Sequence, residues 1–245
     1  LSKLYVNNGG VFEEAYFNSI FPDIGIGTVS WSDYDNDSDP DLILTGYYNS
    51  VGNTIIYRND AGIFTNIGAG LQGVWQGSAD WGDYDNDGYL DIILSGNAIT
   101  KIYRNNGNNT FSELTGLTLP GIISGSVAWG DYDNDGDLDY VFNNLEDEAF
   151  ILKNNSIERS RDNAGYIRIK LSGKEGNTMA LGAKIEIWCN GIYQFSENFL
   201  TRGYASSVDP VIHFGVGEAR VVDSLKVTWP ASGNITVLKN IKSNQ

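Results

Sequence analysis

Three observations predict an all-β fold. A nine-residue acidic loop occurs three times at nearly constant spacing. Short apolar runs of strand length flank every copy. Glycine and Asn/Asp turn signals are frequent, while proline is scarce, at five residues. A repeat period near 50 residues points to a propeller or a related array. The predicted architecture is an incomplete β-propeller-like array of four-stranded blades over residues 1–156, followed by a small β-sandwich or barrel over 163–241.

The three loops are Asp33-Tyr-Asp35-Asn-Asp37-Ser-Asp39-Pro-Asp41, Asp83-Tyr-Asp85-Asn-Asp87-Gly-Tyr89-Leu-Asp91 and Asp131-Tyr-Asp133-Asn-Asp135-Gly-Asp137-Leu-Asp139. Each has aspartates at positions 1, 3, 5 and 9. Positions 1, 3 and 5 of a tight loop can converge on one centre, and glycine at position 6 permits the left-handed turn that folds the loop back. The backbone carbonyl of position 7 (Asp39, Tyr89, Asp137) then faces the same centre, and position 9 closes the shell. Calcium takes six to eight oxygen ligands in a flexible shell and suits this set, whereas magnesium prefers octahedral geometry and retains its waters. Three structural Ca2+ sites are therefore expected.

An EF-hand would need an acidic residue at position 12 and helical flanks. Position 12 is Leu44, Leu94 and Phe142, and the flanks read as strands. The glycine-rich repeat of calcium-binding β-helices is absent. Four or five carboxylates within nine residues repel one another unless a cation sits among them, which argues against three acidic turns that bind nothing. Loop one departs from the others in having Ser38 at position 6 and Pro40 at position 8. A left-handed serine costs about 1 kcal/mol, so loop one is expected to bind, but more weakly.

The flanking unit repeats as well. A strand precedes each loop (28–31, 78–81, 126–129) and ends in Trp31, Trp81 or Trp129. A second strand follows the loop (42–44, 92–94, 140–142), then a third (55–58, 101–104, 150–153), and a fourth in the first two units (62–65, 110–113). Four short antiparallel strands make a blade. One tryptophan per unit is expected to fill the space between sheets. Tyr34, Tyr84 and Tyr132, at loop position 2, should point away from the ion and pack on the neighbouring loop.

Residues 3–12 match the hairpin at 101–111, so the chain opens on a half-unit, and the third unit stops after three strands. Propellers close with four to eight blades. The array is thus expected to be part of a longer protein, to be capped by the following domain, or to pair its edges with neighbours. Leu1 opens the chain without a signal-peptide pattern, which is read as a processed mature chain or a fragment.

Net charge is −15 over 245 residues, of which 41% are hydrophobic. Nucleic-acid binders are normally basic, so nucleic acid is excluded as a partner. Fourteen of the 31 acidic residues lie in the three loops, which leaves acids and bases nearly balanced elsewhere. No apolar run approaches the ~18–20 residues of a membrane span. The single cysteine, Cys189, sits in an apolar alternating run and reads as a core residue. Sequons occur at Asn108, Asn154 and Asn234, and at Asn36 inside loop one.

A composition shift at 154–163 separates the second half, where no fourth loop appears. Strand-like runs cover 166–171, 183–188, 192–195, 211–214, 224–229 and 235–238, with a hairpin signal at Asn190-Gly191.

The repeats resemble the FG-GAP/VCBS family, through D-Y-D-N-D-G-x-L-D with its following apolar strand. The second half resembles the ASPIC/UnbV domain of cartilage-acidic-protein-like chains. That likeness rests on Asn177, Leu181-Gly-Ala183, Gly203-Tyr204, Ser207, His213-Phe-Gly-Val-Gly217, Val222-Asp223 and Val227-Thr-Trp-Pro230. The resemblance implies a calcium-binding propeller followed by a β-domain in an exported protein, located outside the cell or at its surface. It implies no active site. Such chains usually carry more repeats upstream.

The function expected is a calcium-stabilised extracellular scaffold for adhesion or assembly. Its partners would be a protein or glycan at the cell surface, or another copy met through open blade edges in a fibre or ring. A glycan-binding module is the alternative, motivated by six Trp and fourteen Tyr. Catalysis is not expected. His213 is the one histidine and reads as a packed, hydrogen-bonded residue; no nucleophile-elbow, zinc-helix or P-loop pattern is present. A carboxylate pair such as Glu175 with Glu186 is the remaining catalytic option.

Overall fold

The structure is a computed structural model that describes residues 2–15, 21–145, 147–155, 164–174, 176–199, 210–230 and 232–244. All regular structure among them is β. A hairpin, β1 (Tyr5–Asn8) with β2 (Val11–Glu14), comes first. All eight of its residues are exposed.

Blade one is β3 (Val29–Ser32), β4 (Asp41–Tyr48), β5 (Val51–Asp60) and β6 (Ile63–Asn66), paired in that order. Blade two repeats it with β7 (Ala79–Gly82), β8 (Asp91–Gly96), β9 (Ile99–Asn105) and β10 (Phe111–Glu113). Blade three has β11 (Ser126–Gly130), β12 (Asp139–Asn144) and β13 (Asp147–Leu152). Among the described residues the last blade has three strands and one hairpin precedes blade one.

Blade two is buried on both faces, which is why β8 reads Ile-Ile-Leu rather than alternating. Ile92 and Leu94 join a core shared with blade one, containing Tyr34, Ile43, Ile56 and Trp81. Ile93 points the other way, into a core with Val127, Trp129, Tyr140 and Phe142 of blade three. Trp81 and Trp129 are thus spacers between sheets, as expected.

The second half forms two sheets around one core. One has the order β16-β15-β18-β19, from β15 (Lys184–Cys189), β16 (Ile192–Glu197), β18 (Val221–Thr228) and β19 (Ile235–Lys242). The other pairs β14 (Gly165–Lys170) with β17 (Val211–Gly217). Ile167, Ile185, Ile187, Phe214, Val222 and Leu225 fill the space between them, so this unit is a sandwich and not a closed barrel. Cys189 is buried in the same core. Asn190 and Gly191, both left-handed at φ 50° and 80°, turn β15 into β16 as the hairpin signal predicts.

Candidate functional site

Register builds the loops. Asp41, Asp91 and Asp139 are the first residues of the second strand in each blade, and pair across the hairpin with Ser32, Gly82 and Gly130. Those partners directly precede position 1. The nine-residue loop is therefore the hairpin connection, with positions 1 and 9 at its neck.

Hydrogen bonds from the backbone then hold each carboxylate. Asp83 accepts from the amides of Asp87 and Gly88 at 2.9 and 2.8 Å, and Asp33 does the same with Asp37 and Ser38. Position 9 accepts from position 2 and from the third strand: Asp91 takes the amides of Tyr84 at 3.1 Å and Asn105 at 2.8 Å. Asp41 and Asp139 repeat this pair with Tyr34 and Asn59, and with Tyr132 and Asn154. Position 6 is left-handed in every copy, at φ 83° for Ser38, 94° for Gly88 and 95° for Gly136.

The carboxylates converge. Oxygens of Asp33, Asp35 and Asp37 lie within 4.8 Å of one another, as do those of Asp83, Asp85 and Asp91 and of Asp131, Asp133 and Asp139. Asp41, Asp87 and Asp135 stand outside these groupings. Oδ1 of Asp35, Asp85 and Asp131 is shielded from solvent and has no hydrogen-bond partner among the described residues. A buried carboxylate oxygen without a partner is costly, so the donor set fits a hard cation placed among these oxygens. Positions 1 and 3 would hold it, with position 5 in loop one and position 9 in loops two and three.

Burial dominates the electrostatics. It pushes Asp33 up to about 7 and Asp41 up to about 8. Asp83 and Asp91 are held well above the usual carboxylate range by burial first and by neighbouring carboxylates second. Carboxylates so placed either retain protons or require a cation.

Blades two and three also supply a basic residue to their loops from the third strand or just after it. Arg104 reaches Oδ2 of Asp85 and of Asp87, both at 2.7 Å, and Lys153 reaches Oδ2 of Asp133 at 2.7 Å and of Asp135 at 2.9 Å. Arg58 instead pairs with Asp60 at 2.9 Å. These residues hold the outer oxygens of positions 3 and 5. In loop two this leaves Oδ1 of Asp85 turned to the cluster.

Sequence reasoning missed two sets of asparagines. Position 4 (Asn36, Asn86, Asn134) is left-handed at φ 62°, 59° and 64°. Its amide crosses to the next blade: Asn36 donates to the Gly88 carbonyl and Asn86 to the Gly136 carbonyl, both at 3.1 Å. Asn105 and Asn154, at the end of the third strand, reach back to the carbonyls of Tyr34 and Tyr84 at 2.9 and 2.8 Å. Their repetition at one register was the available signal. The Asn154 amide nitrogen is therefore engaged, and this sequon does not present a free nitrogen.

The position-2 tyrosines differ from expectation. Tyr34 stacks on Trp81 and Tyr84 on Trp129, the tryptophan of the next blade and not its loop. Glu186 pairs with Lys226 at 2.6 Å. Glu175, Gly203, Tyr204 and Ser207 lie outside the described residues.

The geometry defines a class: a β-repeat protein whose blades each carry an aspartate hairpin that could hold a metal ion. The profile of the FG-GAP-like repeat matches residues 33–94 and 83–142, and that of ASPIC and UnbV matches 173–245. The chain carries FG-GAP-like repeats followed by an ASPIC/UnbV domain, an architecture whose parts are typically non-catalytic and, for the repeats, extracellular. No curated protein sequence matches the chain.

Proposed function

We propose that this chain is a calcium-stabilised extracellular scaffold for adhesion or assembly, non-catalytic, with one Ca2+ in each of the three loops. The carrying observation is the triple convergence of carboxylate oxygens with partnerless inner atoms at Asp35, Asp85 and Asp131. Extracellular calcium modules bind at about 10⁻⁴–10⁻³ M. At tenfold excess over Kd each ion adds about 1.4 kcal/mol by mass action. Three would supply roughly 4 kcal/mol of a typical 5–15 kcal/mol stability, a structural role that cytosolic calcium would not sustain.

Titration calorimetry on chelator-stripped chain tests this. The expected result is three calcium ions per chain and a raised Tm. Fewer than two ions bound at about 1 mM calcium would sink the reading.

One observation favours assembly over glycan recognition. Trp81 and Trp129 are buried and Trp31 is half-buried, so two of the three repeated tryptophans offer no stacking surface. Tyr132, by contrast, is 54% exposed, and the cross-strand pair Val141 and Ile151 of the same blade is exposed as well. Tyr132 presents the ring that Tyr34 and Tyr84 place on a following blade. Another blade, from a second copy or from further sequence, would cover it. Light scattering in about 1 mM calcium reads this directly: a discrete oligomer supports pairing between copies, and a 26.9 kDa species excludes it.

A further inference from the structure

The second half of the chain meets the array at the acidic loops, and closest at loop two. Gly215 of β17 lies against loop two so tightly that a methyl group there would overlap Asp83 Oδ2 and the Asn86 backbone. The Gly217 amide donates to the Asn86 carbonyl at 2.8 Å. His213 Nε2 lies 2.6 Å from Asn86 Oδ1. The Gln194 amide braces this strand by donating to the Gly215 carbonyl at 2.8 Å. On β14, Tyr166 stacks on His213 and packs against Gly136 of loop three, and Arg168 pairs with Asp131 at 3.2 Å and donates to Asn134 Oδ1 at 2.8 Å.

The result is unequal cover. Asn86 and Asp91 of loop two have no exposed surface, and Asp83 has 2%. In loop one Asp33 and Asp41 are equally buried, at 2% and 0%, and the difference lies at the turn, where Asp37 and Ser38 are exposed while Asp87 is half-buried and Gly88 buried. Withdrawing carboxylates from water is strongly unfavourable unless a positive charge stays with them. At loop three the covering unit brings its own charge, Arg168. At loop two the strand lying against Asp83 and Asn86 presents glycine, histidine and backbone.

We propose that the β14–β17 pair is a lid whose docking on loop two is coupled to cation occupancy of that loop, each strengthening the other, and more strongly so than at loop one. This rests on the calcium reading above. An ion in loop two neutralises the charge that docking would otherwise desolvate, and docking in turn fixes Asn86 and shields Asp83 in the binding geometry. Linkage makes the two effects equal. The strand that carries them is the His213-Phe-Gly-Val-Gly217 run, which sequence reading could assign only to packing.

Hydrogen exchange with mass spectrometry across a calcium titration of the full chain tests the coupling, because each loop is read in its own peptide. In the wild-type chain, amides of loop two and of β14 and β17 gain protection at one shared calcium midpoint. Gly215→Ala moves the loop-two midpoint to roughly tenfold higher calcium, within the usual range of coupling, and moves loop one by less. His213→Ala, which adds no bulk, moves loop two the same way by a smaller factor. Retained protection in β15 and β18 shows that the unit stays folded; if Gly215→Ala unfolds it, His213→Ala alone decides. A loop-two midpoint unchanged in both variants, or three midpoints that move together, overturns the lid. A wild-type chain whose loops gain no protection with calcium overturns the calcium reading itself, and the lid with it.

Discussion

The ring of Tyr34 lies parallel to the indole of Trp81, centroids 5.6 Å apart and planes 7° from coplanar. Tyr34 belongs to the loop of blade one and Trp81 to the first strand of blade two, so this stack joins blade to blade. Tyr84 and Trp129 repeat it at 6.1 Å and 10°. Tyr34 has no exposed surface, whereas Tyr132, at the same place in the third loop, is 54% exposed. Tyr34→Ala should cost about 3–5 kcal/mol, the range for emptying an aromatic site in a core. Tyr132→Ala should stay within about 0.5 kcal/mol, as surface substitutions do. Urea unfolding of the two variants in calcium checks the contrast, and equal costs would contradict the stack's role.

The pH dependence of stability should change sign with calcium. Asp33 and Asp41 are pushed up to about 7 and about 8 by burial, far above the ordinary value of about 3.9 for the unfolded chain. In chelated protein the folded state therefore holds protons that the unfolded state has released. Stability is then fully present below about pH 4 and lost as pH rises through 7 to 8. With calcium bound the ionised form is favoured, and stability is instead lost as pH falls through the acid range. Scanning calorimetry should show Tm falling with pH in chelator and rising with it in calcium.

Asp91→Asn should remove one ion of three and destabilise the chain even without calcium. Both carboxylate oxygens accept buried amides, from Tyr84 and Asn105. An asparagine has one acceptor to offer, so one amide loses its partner at about 1–3 kcal/mol. Calorimetric stoichiometry and unfolding in chelator read the two effects separately.

Gly136→Ala should be the more damaging of two similar changes. Gly88 and Gly136 both turn loops at φ 94° and 95°, so alanine is strained at either. At Gly88 the space beyond is open to ordinary contact distance, whereas at Gly136 the added methyl would overlap the Tyr166 ring. A loss of about 1 kcal/mol is expected for Gly88→Ala. For Gly136→Ala a further 1–3 kcal/mol of overpacking is expected, with deprotection of β14 in hydrogen exchange. Equal losses would show that Tyr166 yields freely.

Much of this molecule is local, and the sequence by itself determined that part. The D-x-D-x-D spacing, the left-handed sixth position, the strands on either side and the Asn190-Gly191 turn all depend on residues within one hairpin. There the period-2 pattern and turn chemistry act directly. The tertiary structure decided what lies beyond a hairpin: that Tyr34 seats on Trp81, that Asn105 reaches the Tyr34 carbonyl, that Arg104 and Lys153 flank their loops, and that the strand of His213 closes over loop two. The His213–Asn86 contact joins residues 127 positions apart. Such pairings follow from the angle between neighbouring sheets and from which faces remain unburied. No local periodicity records either, because it marks which side chains are buried and not which distant partner each one meets.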